Sequence, residues 1–330
     1  MPCYHPNPVL FKPDEKLEWL GKDLRKSESP EKAQAAERFL NTPSNRAKYS
    51  NHKYMELPCG QCIGCRLDRA KQWTIRNIVE LAQHEESCWI TLTYDEESKQ
   101  SDSLRYEDFK KFIKALRRKF KNTHRIRYYM AGEYGELRYR PHFHICLYGW
   151  QPSMKFPTTK SHAGFPQFES PTLTRLWKKG MVTVGDLNAE TIAYTARYIT
   201  TKVNGSQAEA HYKTNSIDKD TGEILSQLEP EFNRMSLKPG IGGEYYKQNI
   251  HQLINDDSIF ANRKWQKLPR YFDRLTKGSH PEVFEQIRQL REASALERQK
   301  KNPLELSAAR LAVKEKVQQV RLDKLKRQLD

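Results

Sequence analysis

The run "RPHFHICLYG", Arg140 to Gly149, sets the tightest limit on how this chain folds, because it reads as a buried strand that carries two imidazoles. Side chains alternate across a strand, so His142 and His144 stand side by side on one face while Phe143, Ile145 and Leu147 fill the other. Two adjacent imidazoles suit a divalent cation with nitrogen and oxygen ligands, and the missing ligand is expected to be a carboxylate. Glu133, on the preceding strand "RIRYYMAGEYG" (residues 125–135), comes beside the pair when the two strands form a hairpin; Glu136 is the reserve candidate.

The rest of the chain supplies a sheet for that strand. Apolar spacing predicts a helix over about 66–84, then a short strand "CWITLTYD", then an amphipathic helix over 104–120 with a basic outer face. A short helix around "TLTRLWKKG", the strand "MVTVGDL" and a helix from Asn188, its cap, to Val203 complete the core. Hairpin-linked strands with helices between pairs predict an α+β fold, an antiparallel sheet backed by helices on one face. The expected organisation is a cysteine-containing N-terminal extension with the first helix (1–84), a core (85–205), a polar linker or loop (206–235), a Pro/Gly turn "SLKPGIGGEYY" and closing segment (236–275), and a basic helical C-terminal arm (276–330).

The last core helix carries the second chemical signal. At roughly 100° per residue, with Ile192 at zero, the apolar Ala196, Ile199 and Val203 fall within about 40° of it. Tyr194, Tyr198 and Lys202 fall at about 200°, 240° and 280°, a separate face with two phenols one turn apart. That face must meet the histidines for the two signals to cooperate.

Charge points to the partner. The 330 residues hold 57 Lys+Arg against 41 Asp+Glu, a formal net charge of +16, which favours a polyanion. Lys110, Lys111, Lys114, Arg117 and Arg118 on the basic helix are candidate phosphate contacts, and Tyr106, Tyr128 and Tyr129 could stack on single-stranded bases. No stretch is apolar over the length needed to cross a bilayer and no leader is evident, so no membrane partner and a cytoplasmic location are expected. Cys59, Cys62 and Cys65 give two overlapping C-x-x-C spacings, and Cys3 or His5 would complete a tetrahedral structural Zn²⁺ site. Cys88 and Cys146 sit in strands and are expected to pack.

Taken together, His142-Phe143-His144 and Tyr194-x-x-x-Tyr198 with Lys202 resemble the HUH endonucleases, specifically the two-tyrosine rolling-circle replication initiators. With "MPCYHP", "CGQCIGCRLDRAKQW", "GEYGELRYRPHFHICLYG", "YTARYIT" and "KPGIGGEYY", the resemblance is to the replication initiators of microviruses of the gokushovirus branch, small single-stranded DNA phages. It covers roughly residues 1 to 275. It implies a ferredoxin-like core, Mg²⁺ or Mn²⁺ held by His142, His144 and Glu133, and a tyrosine that attacks the scissile phosphate of viral origin DNA in the bacterial cytoplasm. Tyr194 and Tyr198 are then the nucleophiles and Lys202 a helper. The chain has no G-x-x-x-x-G-K-[ST] segment, so a host helicase, along with a polymerase, is expected to cooperate. Two other readings compete: a non-enzymatic, zinc-stabilised nucleic-acid-binding protein, and a relaxase or transposase of the same HUH class. A cupin-like oxygenase wants a Glu shortly after the second histidine, where Leu147, Tyr148 and Gly149 stand.

Overall fold

The structure, a computed structural model, describes residues 3–11, 18–19, 42–48, 52–96, 103–135, 140–158, 166–198, 202, 206–214 and 228–323. In chain order the elements begin with β1 (Asn7–Phe11), β2 (Glu18–Trp19), α1 (Pro43–Lys48), β3 (Lys53–Leu57), α2 (Ile63–Leu81), β4 (Ser87–Thr93) and α3 (Tyr106–Lys119). They continue with β5 (Arg127–Tyr134), β6 (Pro141–Tyr148), β7 (Phe156–Pro157), β8 (Phe168–Glu169), α4 (Pro171–Trp177), β9 (Val182–Gly185) and α5 (Ala189–Arg197). After α6 (Ser206–Thr214) come β10 (Phe232–Met235), α7 (Gly243–Asp256), β11 (Ser258–Ala261), β12 (Lys264–Lys267), α8 (Arg270–Ser279), α9 (Pro281–Lys301) and α10 (Ala308–Asp323). The chain divides into two compact units, Met1–Asp68 with Gln289–Lys326, and Arg69–Arg288 with Arg327–Asp330.

The larger unit is built on an antiparallel sheet in the order β10-β5-β6-β4-β9-β8-β7. Every residue of β6 is buried, as a central strand requires. On one face Ile90, Leu92, Met130, Phe143, Ile145 and Leu147 pack against Phe109, Phe112 and Leu116 of α3 and Leu173 and Trp177 of α4. Phe143 is fully buried there, which contributes roughly 1.5–3 kcal/mol. On the other face Trp89, Tyr129, Ala131, Cys146 and Tyr148 meet Ile192, Tyr194 and Tyr198, with Trp73, Ile78 and Leu81 of α2 alongside. The α+β antiparallel architecture is as expected, but helices cover both faces rather than one. The cause is visible on the histidine face itself: Tyr148, Tyr129 and Trp89 are large and apolar enough to need their own cover.

One other expectation changes. Within residues 206–235, expected as linker or loop, the chain forms α6 and the strand β10, whose Phe232–Met235 pair with Tyr129–Gly132 of β5. Of the predicted helix 188–203, α5 covers Ala189–Arg197 with Tyr198 at its C-cap, and residues 199–201 and 203 lie outside the described residues.

The "KPGIGG" turn is a latch between elements. Arg76 of α2 lies between the rings of Trp73 (4.0 Å) and Tyr271 (3.9 Å) and donates from Nε to the Ile241 carbonyl at 2.9 Å. Buried Glu80 pairs with buried Arg127 and accepts from the Gly242 N–H at 2.7 Å, and Arg127 donates to the Pro239 carbonyl at 2.9 Å. Burial raises the pKa of the Glu80 carboxyl, but bonds from His84, Arg127 and Gly242 outweigh it and hold the group below the usual carboxylate range. Gly242 has φ +77°, and a Cβ there would come 3.3 Å from the Arg76 carbonyl oxygen, so glycine is required.

In the smaller unit β1 pairs with β2 and β3. His5 bonds to Glu315 of α10 through Nε2 (3.0 Å to Oε1), and Leu311 of the same helix is buried.

Candidate active site

The β5–β6 hairpin register places Glu133 directly opposite His142, with His144 two residues further along the same face. One carboxylate oxygen, Glu133 Oε1, lies 2.6 Å from His142 Nε2 and 3.0 Å from His144 Nε2. The three ligand atoms lie within 4.8 Å of one another, and all three residues are buried. Glu136, the reserve candidate, lies outside the described residues.

The donor set fits a cation. His142 Nδ1 is 3.1 Å from the Arg140 carbonyl, which can only accept, so this nitrogen carries the proton. In the neutral imidazole Nε2 then presents a lone pair to a carboxylate oxygen 2.6 Å away, acceptor against acceptor. A proton or a metal ion between them removes that clash. A carbonyl that fixes the tautomer from behind is the outer partner a ligating histidine needs. His144 is fixed from behind as well, with Nδ1 3.0 Å from Thr91 Oγ1 on β4, the residue opposite it in register.

Both tyrosine rings pack against His144. His144 is stacked between Trp89 (4.9 Å, 6°) and Tyr198 (5.0 Å, 8°). Tyr194 stands edge-on to His144 at 5.3 Å and to Tyr198 at 4.8 Å. The condition set by the sequence, that the tyrosine face meet the histidines, is met; the Ile192 and Ala196 stripe is buried too, since α5 is enclosed nearly all round.

The pose of α5 comes from both its start and its middle. The Asn188 side chain accepts from Glu190 N (2.9 Å) and Thr191 N (3.0 Å), and Thr191 Oγ1 accepts from Asn188 N at 2.9 Å, a reciprocal cap. Midway, Trp89 Nε1 donates to Thr195 Oγ1 at 3.0 Å, tying β4 to the turn between the two tyrosines. Lys202 is half-buried and lies outside α5.

Sequence reasoning missed Thr91, Trp89 and Thr195 as supports. All three sit at the positions that alternation or helical spacing aims toward His144 or α5, which was the available signal.

The cysteines form a second donor group, in the smaller unit. Pairing of β1 with β3, Asn7 opposite Leu57, brings Cys3 back to Cys59. The four sulfurs of Cys3, Cys59, Cys62 and Cys65 lie within 4.8 Å of one another. Backbone N–H groups point at them: Cys59 N to Cys3 Sγ at 3.2 Å, Tyr4 N to Cys62 Sγ at 3.3 Å and Cys62 N to Cys59 Sγ at 3.2 Å. Hydrogen bonding from Cys3 brings the Cys59 thiol down to about 6, and its neighbours drive Cys62 lower still, while Cys3 is pushed up as their donor. Against a lowering by Cys3, hydrogen bonds with Cys59 and Cys62 push Cys65 up as well, and four sulfurs at this spacing are a donor set compatible with a tetrahedral metal site. Of the two alternatives for the fourth position the structure brings in Cys3; His5 is engaged by Glu315 instead.

The basic helix is resolved residue by residue. Lys110 is paired with Glu107 at 2.8 Å, Lys111, Lys114 and Arg118 are exposed, and Arg117 donates to the Ile126 carbonyl and to Ser236 Oγ, both at 3.1 Å. Tyr128 and Tyr129, expected as stacking groups, are buried in the two cores. No helix among the described residues is long and apolar enough to cross a membrane.

Comparisons with known proteins bear on this arrangement. Residues 87–203, which include both histidines, Glu133 and both tyrosines, match the model of a family described as replication-associated protein ORF2/G2P. The chain is 34% identical over 240 residues to the replication-associated protein ORF2 of Spiroplasma virus 4, covering 69% of this chain and 70% of that protein. It is 29% identical over 235 residues to the replication-associated protein VP4 of Bdellovibrio phage phiMH2K, with the same coverage of 69% and 70%. The replication-associated protein ORF4 of Chlamydia phage 1 is 28% identical over 228 residues, 67% of this chain and 53% of that protein. No solved structure matches the chain.

Proposed function

The chain belongs to this family of phage replication-associated proteins, and on that premise we propose that it initiates rolling-circle replication by nicking and rejoining single-stranded origin DNA. One observation carries the reading: two phenols, Tyr194 and Tyr198, lie ring to ring with His144 of the Glu133–His142–His144 group. A binding protein has no use for that juxtaposition.

A free phenol has a pKa near 10 and is a weak nucleophile at neutral pH, so the reaction needs charge stabilisation at phosphorus. His142, His144 and Glu133 would hold Mg²⁺ or Mn²⁺, which would supply it by polarising a phosphate oxygen. One tyrosine gives up its proton and bonds to phosphorus, the bond from phosphorus to the 3′ oxygen breaks, and that oxygen takes up a proton. The products are a 5′-phosphotyrosine and a free 3′-hydroxyl that primes synthesis. Because one phosphodiester replaces another, the energy of the cleaved bond is kept. The second tyrosine cuts the regenerated junction, and the released 3′-hydroxyl attacks the first linkage to close the circle. Lys202 is proposed to offset charge on the phenolate or leaving oxygen, and Zn²⁺ to occupy the Cys3–Cys59–Cys62–Cys65 group as a structural ion. Unwinding and synthesis fall to a host helicase and polymerase, in the bacterial cytoplasm.

The test is incubation with end-labelled single-stranded DNA spanning the phage origin, with Mn²⁺ or with EDTA, followed by a denaturing gel. A Mn²⁺-dependent covalent band carrying the 5′-phosphate fragment is expected. Tight binding of a demonstrated origin without any adduct would overturn the reading in favour of a binding protein.

A further inference from the structure

Away from the tyrosines, the larger unit has a cleft of about 860 Å³ where the turn after α3, the start of β5 and the chain following β10 converge. Its lining includes Arg117, Lys121, Arg125, Arg127 and Lys238, and no acidic residue. Two of those cations are already committed: Arg127 to Glu80, and Arg117 through two of its five N–H donors to Ile126 and Ser236. His124 on the rim is paired with Glu86 at 3.2 Å. Lys121, Arg125 and Lys238 are exposed and concentrate positive charge at the mouth.

The rim is fixed in place rather than loose. The Arg125 carbonyl packs so closely on Gly149 that a Cβ there would come within 2.6 Å of it. Ser236 accepts from the Tyr128 N–H at 3.1 Å and from Arg117, holding the chain before Lys238 against β5. Half-buried Tyr106 and Leu237, 73% exposed, add apolar surface beside the cations. Cations on a rigid frame with adjoining apolar surface suit a single strand, whose backbone is anionic and whose bases are unstacked.

We infer that this cleft holds a second stretch of the same single-stranded DNA, gripping its phosphodiester backbone through Lys121, Arg125 and Lys238 at a distance from the nick. The inference rests on single-stranded origin DNA being the substrate. The separation follows from β5 itself: Arg127, at the cleft, and Glu133, at the histidines, are six residues apart on one strand, about 20 Å at roughly 3.3 Å per residue. A strand with unstacked bases extends further per nucleotide than the duplex spacing of about 3.4 Å, so it spans that distance in fewer than about six nucleotides. Of the basic residues on α3, the assignment singles out Arg117 as the one that frames the cleft, and leaves Lys111, Lys114 and Arg118 on the open face.

Salt dependence tests it directly. Binding of a fluorescein-labelled 20-nucleotide origin strand to the full chain is followed by anisotropy over a series of NaCl concentrations. The wild type is compared with Lys121→Ala/Arg125→Ala/Lys238→Ala, and with a charge-matched control, Lys247→Ala/Lys264→Ala/Lys277→Ala. Each phosphate contact on single-stranded DNA contributes about 0.7 to the slope of log K against log salt, so the cleft variant should be shallower by about 2. The control should keep the wild-type slope. A cleft variant with the wild-type slope, or a control that falls as far, overturns the assignment. Adduct formation by the wild type is scored separately: no adduct together with a shallower cleft variant removes the nicking reading and leaves the cleft, whereas an adduct with an unchanged slope does the reverse.

Discussion

The two donor groups of this chain are built on opposite principles. Glu133, His142 and His144 are set by strand register, clamped by the Arg140 carbonyl, Thr91 and stacked rings, and buried in an apolar core. Cys3, Cys59, Cys62 and Cys65 are half-buried thiols drawn from two distant stretches of a small unit, and they crowd together as mutually bonded sulfurs. The first group is held by the fold, so an ion adds chemistry to it. The second is assembled from stretches far apart in sequence, so an ion bound there would add stability.

Chelation is the strongest way to break that contrast. Structural zinc in small units contributes on the order of 10 kcal/mol, so Cys62→Ser or a strong thiol-competing chelator should unfold the smaller unit, seen as rapid proteolysis within residues 3–68 and loss of one Zn²⁺ per chain. If the smaller unit resists protease without metal, the contrast fails. Next in size, Tyr194→Phe with Tyr198→Phe should abolish the covalent adduct while DNA affinity and melting temperature stay close to wild type; residual adduct would move the nucleophile elsewhere.

Glu133→Gln sharpens the comparison further. Its amide can donate to the His142 Nε2 lone pair, so the core stays satisfied while the ligand charge is lost. Adduct formation should drop about 100-fold or more, with thermal stability kept or raised. A large fall in melting temperature would show that this group, too, holds the fold together.

Smaller effects probe the clamp. Trp89→Phe removes the bond to Thr195 and part of the stack on His144, for about 1–2 kcal/mol in urea unfolding. Asn188→Ala removes the reciprocal cap of α5, for about 1 kcal/mol, with a modest loss of adduct rate as the tyrosines lose their fixed pose.

What the sequence made legible follows from where periodicity is strong. The period of two in β6 sorted histidines from core residues, and nine residues back along a hairpin led to Glu133. The helical wheel set Tyr194 and Tyr198 apart from Ile192, yet all three are buried in one cluster on the histidine face. It could not foresee that both faces of α5 would be enclosed, because that depends on α2 covering the same side of the sheet, a contact between segments about a hundred residues apart. β10 was missed because Phe232–Met235 is only four residues long and half-exposed, with no alternation to reveal it. The choice of Cys3 over His5 rested on pairing between β1 and β3, which no spacing encodes.

The latch at Glu80 carries a consequence for the order in which the molecule is made. Every group proposed for strand transfer has been synthesised by residue 202, and residues 87–203 match the family model. Yet that stretch contains Arg127 without Glu80 on one side, or Pro239 and Gly242 on the other. A nascent chain stopping near residue 205 would carry the whole reactive centre beside a buried ion pair still missing the Gly242 N–H and the Pro239 carbonyl, and a half-satisfied pair is worse than none. The segment that holds every proposed reactive group is therefore shorter than the segment that satisfies the ion pair, and synthesis runs about forty residues past the last of those groups before Gly242 is in place.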